Sequence, residues 1–116
     1  MPLLSRESIL TADDLKTVDV PVPEWGGEVR IRSLTGTQRE LFGRSLLGAD
    51  GKPTGEGYNL KLVAVSVVQE DGTLAFTLDD VQILGTKSDV ALERVVDAIE
   101  TLNKMKIGDI EAAKGN

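Results

Sequence analysis

No cysteine and no histidine occur among the 116 residues. The first absence removes disulfides, thiolate nucleophiles and cysteine metal sites, and it fits any redox compartment. The second removes the commonest general acid or base near neutral pH and the commonest transition-metal ligand, which closes most hydrolytic and zinc mechanisms. Aromatic residues make up only 3% against 41% apolar overall, so a core has to be built from Val, Leu, Ile and Ala, with Phe42 and Phe76 as its larger pieces. Such material suits small helices on a short sheet. Cations are also in deficit, 13 Lys and Arg against 19 Asp and Glu, for a formal charge of −6. Nucleic-acid binding relies on clustered Lys and Arg, so no nucleic-acid partner is expected. No basic amphipathic helix is present to lie on a membrane. No apolar run approaches a spanning helix, and Met1-Pro2-Leu3-Leu4 leads into charged Arg6 and Glu7 rather than a signal-peptide pattern. The expectation is a soluble, intracellular protein, one domain over residues 1–116.

The most informative stretch runs from Val18 to Glu40. Val18, Val20 and Val22 alternate with polar or proline positions, and so do Val29 and Ile31, which predicts two half-buried strands around the turn Glu24-Trp25-Gly26-Gly27. In that register Val22 faces Val29, Val20 faces Ile31 and Asp19 faces Arg32. Pro21 and Pro23 lack N–H groups on the same side, so the first strand is an outer edge and any further strand adds beside residues 28–34. The only tryptophan, Trp25, sits in the turn. An indole there either folds back over the hairpin or anchors a partner.

Ser5 to Leu10 reads as a short amphipathic turn or helix, with Ser5 as cap and Ile9 and Leu10 buried, closing one end of the core. Thr35-Gly36-Thr37-Gln38 matches a capping box, followed by the apolar stripe Leu41, Phe42, Leu46 and Leu47 and a stop at Gly48. Residues 49–57, rich in Gly, Pro and charge, are expected to form a mobile surface loop. Asn59 to Val68 fits either a strand or a buried helix, and the helix is favoured. Gln69-Glu70-Asp71-Gly72 is a turn, Thr73 to Phe76 a short strand, and Thr77 or Asp79 caps a short helix ending at Gly85. Ser88 begins the longest helix, with Leu92, Val95, Val96, Ile99 and Leu102 on one face and a Glu100–Lys104 pair near its end. Lys104 and Lys106 complement that end, Gly108 breaks the helix, and Asp109 starts a last turn. The fold class is therefore α+β: a small, mainly helical single domain with an N-terminal β-hairpin and a frayed C-terminal tail.

Chemistry is hard to find. The carboxylate clusters Asp13-Asp14, Asp79-Asp80 and Glu70-Asp71 are better explained as helix starts and turns than as acid/base or metal sites. Gly26-Gly27 leads into a strand, whereas phosphate-binding loops lead from a strand into a helix. No catalytic residue, cofactor or metal is assigned. The candidate partner-binding side chains are Trp25, Phe42, Leu46 and Leu47.

Taken in order, the LLSRESIL segment, the EWGG turn, the EVRIRSLTGTQRE strand-to-helix passage, the LVAVSVVQEDGTLAF segment and the terminal amphipathic helix resemble the tail assembly chaperones of long-tailed, siphovirus-like bacteriophages. The resemblance covers nearly the whole chain. It implies a non-enzymatic protein of the host cytoplasm that coats the tape measure protein, helps recruit tail tube protein and is absent from the mature virion. Self-association into a homo-oligomer would suit an elongated client. The resemblance also implies manufacture in two lengths by a ribosomal slip, which Lys114-Gly115-Asn116 permits: the coding AAG GGA AAC would contain the slippery run G-GGA-AAC, and other synonymous codings would not slip. A second reading is a small connector or neck component that stays in a phage or prophage particle.

Overall fold

The computed structural model describes residues 1–105. The hairpin is formed by β1 (Thr17–Val22) and β2 (Gly27–Arg32), joined by a 3-10 turn at Pro23–Trp25. Its register differs from the sequence-based one. Val22 pairs with Gly27, Val20 with Val29, Val18 with Ile31 and Asp19 with Arg30. The cause lies in Pro23, whose fixed φ opens the turn one residue early, and in Gly26, which closes it in the left-handed region at φ 75. Every cross-strand partner then moves by two residues, so each side chain keeps its face. Val20, Val22 and Ile31 still point into the core. On the outer face Asp19 binds Arg30 through two hydrogen bonds of 2.7 and 3.1 Å, while the Arg32 guanidinium donates to the Gly72 carbonyl at 2.9 Å.

The third strand adds where the prolines direct it. β3 (Val67–Val68) pairs antiparallel with β2, giving the order β1-β2-β3 with β1 at the edge. β3 continues directly from α3 (Tyr58–Ser66), so the ambiguous apolar run is a buried helix that ends as a strand. Residues 73–76 form no strand; Leu74 makes one isolated bridge to Val68.

Three helices complete the core. α2 (Gly36–Ser45) opens with the capping box, Gln38 N–H donating to Thr35 Oγ1 at 3.1 Å and Thr35 N–H to Gln38 Oε1 at 3.0 Å. The Lys61 ammonium donates to the Ser45 carbonyl at its C-terminus. A 3-10 turn at Leu78–Asp80, capped by Thr77, precedes α4 (Val81–Leu84), which ends at Gly85. α5 (Asp89–Leu102), capped by Ser88, buries Leu92, Val95, Val96 and Ile99. α5 packs against α3, β1 and β2, and α2 packs on α3. Asn103 then ties the end of α5 to the exit of β2, accepting from Leu34 N–H at 2.8 Å.

Two further expectations are corrected. α1 (Arg6–Thr11) is capped by Ser5, but it buries nothing: Ile9 and Leu10 are 59% and 63% exposed and close no end of the core. A helix of six residues carries too narrow an apolar face to outweigh the freedom of the arm that holds it. Glu100 does not pair with Lys104. Its carboxylate accepts from the buried Tyr58 hydroxyl at 2.9 Å, and Lys104 lies past the helix end at φ 52. Lys106, Gly108, the turn at Asp109 and the Lys114-Gly115-Asn116 slip position lie outside the described residues.

Candidate partner-binding surface

Trp25 is presented on the hairpin tip, and three features fix it there. Pro23 sets the entry to the turn, and Gly26 supplies the left-handed residue that a side chain would strain, its N–H returning to the Pro23 carbonyl at 3.0 Å. The third is long-range. Arg94, on α5, donates from Nε to both carboxylate oxygens of Glu24 at 3.0 and 3.1 Å. That hydrogen-bonded guanidinium holds the Glu24 carboxyl below its ordinary range. The residue before Trp25 is thus clamped to the longest helix, and the indole is 39% exposed.

Trp25, Phe76, Ile83, Leu84 and Lys87 line a cleft of ≈ 320 Å³. Leu84 is buried and forms its floor, Phe76 is half-buried against the core, and Ile83 stands 66% exposed at the rim. The walls are hydrocarbon except at Lys87. Sequence reasoning missed Ile83 and Lys87 because α4 has only four residues, too few for a helical period to show which side chain stays outside.

The other candidate residues divide. Phe42 and Leu46 are both 2% exposed and belong to the core, Phe42 meeting Tyr58 edge-on at a ring separation of 5.4 Å. Leu41 and Leu47 are each 44% exposed, so the helical stripe is split between interior and surface. Leu47 also anchors the start of the 49–57 segment. It forms an antiparallel bridge with Pro53, while Gly48 N–H donates to the Lys52 carbonyl at 2.8 Å and Thr54 N–H to the Leu46 carbonyl at 2.9 Å. Trp25 and Leu47 are the two of the four that a partner of the folded domain can touch.

Two of the three carboxylate clusters are engaged locally, whereas Asp13 and Asp14 are exposed. Asp80 Oδ2 accepts from Thr77 N–H at 2.9 Å. Asp71 Oδ1 accepts from Thr73 N–H at 3.0 Å and Thr73 Oγ1 at 2.7 Å, which lowers the pKa of its carboxyl. Among the described residues no group of three or more His, Cys, Asp or Glu side chains could hold a metal ion, and no helix is long and apolar enough to cross a membrane.

No protein-family model matches the chain, and no curated protein sequence matches it. A solved structure does: the bacteriophage HK97 tail assembly chaperone superposes with a TM-score of 0.56 at 18% sequence identity, over 84% of this chain and 96% of that one. This chain therefore carries the fold of a bacteriophage tail assembly chaperone.

Proposed function

We propose that the chain is a non-enzymatic tail assembly chaperone of a long-tailed bacteriophage, which binds the tape measure protein and helps recruit tail tube protein. The observation that carries this reading is the fold shared with the HK97 chaperone over most of both chains. An acidic domain with a preorganised indole, an apolar cleft and the half-exposed Leu47 has the equipment to hold an apolar helical client in solution. Trp25 and Leu47 contact the client, and Phe42 and Leu46 support that surface from beneath. The protein acts in the host cytoplasm, lines its client as a loose homo-oligomer and leaves before the particle is complete. A longer form arises by the slip at Lys114-Gly115-Asn116, and its extra segment raises the local concentration of tail components along the client.

The test compares infected-cell lysate with purified virions by mass spectrometry, with the chain tagged to capture the tape measure protein. Capture from the lysate together with absence from virions is the expected result. Stoichiometric presence in virions would instead identify a connector or neck component. Sequencing the gene across codons 114–116 and finding a non-slippery coding with a single product would remove the two-length proposal alone.

A further inference from the structure

We infer that the Trp25–Ile83–Lys87 cleft receives an amphipathic helix of the client, one that places an aliphatic side chain in the cleft and a carboxylate against Lys87. This deepens the chaperone reading and rests on it. Three observations converge.

The first is shape and surface. The cleft is open, about the size of one or two aliphatic side chains, with a buried leucine as floor and two exposed apolar residues, Trp25 and Ile83, as rim. An aromatic anchor already immobilised by the turn and by the Glu24–Arg94 clamp loses little freedom when a partner covers it.

The second is backbone chemistry. No strand residue lines the cleft, which lies between the hairpin tip and α4. Four N–H groups along the hairpin tip and the end of α4 are already used: Gly26 to Pro23, Gly85 to Val81, Thr86 to Ile83 and Lys87 to Leu84, at 3.0 to 3.1 Å. An extended segment would enter with its own N–H and C=O groups unpaired, whereas a helix brings its backbone satisfied.

The third is charge. Neighbouring Arg94 is neutralised by Glu24, but the Lys87 ammonium makes no ion pair or side-chain hydrogen bond with any described residue. An uncompensated cation beside an otherwise apolar cleft selects a partner with a carboxylate next to its apolar residue and disfavours one with a cation there. On a chain whose formal charge is −6, this unpaired cation gives the cleft a preference that general apolar stickiness would lack.

The experiment co-expresses the full chain with the tape measure protein of the same phage and measures the captured amount for Ile83→Asp, Lys87→Gln, Lys87→Glu and, as a matched exposed apolar change elsewhere, Leu10→Asp. All three positions are exposed, and thermal unfolding of each of the four purified variants checks that folding is intact. Ile83→Asp and Lys87→Glu are expected to weaken capture by roughly tenfold or more. Lys87→Gln should fall between wild type and Lys87→Glu, the gap narrowing as salt is raised, while Leu10→Asp captures like wild type. A wild-type complex unaffected by either cleft change overturns the inference and leaves the chaperone reading standing, as does a loss confined to Leu10→Asp. Failure of the wild-type chain to capture the tape measure protein overturns both. If Ile83→Asp instead abolishes self-association in sedimentation and leaves capture intact, the cleft is a contact between copies of this chain and the inference falls.

Discussion

Arg94 and Glu24, 70 positions apart, meet with the guanidinium Nε 3.0 and 3.1 Å from the two carboxylate oxygens, and this contact fastens the hairpin tip to α5. Both side chains are partly solvated, so the pair adds little to global stability. Its effect is local. Arg94→Ala should leave the unfolding temperature nearly unchanged while loosening the turn, so that the lone Trp25 becomes more accessible to a neutral quencher such as acrylamide. Unchanged quenching would mean that the indole is held by its cleft neighbours alone.

The same pair contributes to a pH dependence whose sign follows from the bound carboxylates. Asp19, through Arg30, Glu24, through Arg94, and Asp71, through Thr73, all have folded pKa values below their ordinary ones. As pH falls through the ordinary carboxylate range, the unfolded chain takes up protons first, so stabilisation that is complete above that range is lost progressively and vanishes below the folded values. With no histidine in the chain, the unfolding free energy should be nearly flat between about pH 6 and pH 8 and should decline below about pH 5. Urea midpoints across that range check this. A step near pH 6.5 would be inconsistent with the titrating groups present.

Features encoded within a few residues were legible in the sequence. The Thr35–Gln38 capping box, the Ser88 cap, the turn at Gln69-Glu70-Asp71-Gly72 and the edge set by Pro21 and Pro23 each depend on local chemistry, and each stands where it was expected. The hairpin register missed by two because pairing depends on where the turn opens, and alternation alone does not distinguish shifts that preserve the faces. Ile9 and Leu10 misled because apolar character states what a residue would gain from burial, not whether a surface lies within reach to bury it. Glu100 was assigned its nearest cation in sequence, whereas Tyr58, a buried hydroxyl needing a partner, claims it across the core. The cleft was the least legible feature. Its walls come from the hairpin tip, residue 76 and α4, and only the fold brings them together.

The division of the α2 stripe gives a direct mutational contrast. Phe42 is buried and packs edge-on against Tyr58, so Phe42→Ala should cost about 3–5 kcal/mol of unfolding free energy, a large share of the roughly 5–15 kcal/mol typical of a small domain. Leu47→Ala, at a half-exposed position, should cost roughly 1 kcal/mol or less and act mainly on client capture. Denaturant unfolding beside co-purification separates the two. A Phe42→Ala chain that stays fully stable but loses its client would place that ring at the interface.

Val96, on the buried face of α5 and 3% exposed, offers the harsher test of the same core. Val96→Asp puts a charge among apolar side chains, and the expected result is an insoluble or unfolded chain, a loss of roughly 4 kcal/mol or more. A soluble, cooperatively unfolding variant with altered self-association would mean that this face is covered by another molecule and not by α3.

Ser66 supplies a prediction of the opposite sign. It ends α3 just before β3 begins, is 1% exposed, and its Oγ has no hydrogen-bond partner among the described residues. A hydroxyl taken out of water without compensation is a net cost, whereas a methyl group at the same position needs no partner. Neighbouring Val65 and Val67 are buried too, so replacing the hydroxyl by hydrogen makes the site more uniformly apolar and opens a gap smaller than a methyl group. Ser66→Ala should therefore raise the unfolding free energy by about 1 kcal/mol, seen as a higher urea midpoint with an unchanged slope. The backbone at this junction is already secured by the Val67 N–H bond to the Val63 carbonyl, so the change should not disturb the helix-to-strand transition. A destabilisation of similar size would show that the Ser66 hydroxyl is hydrogen-bonded in solution and helps to hold that transition in place.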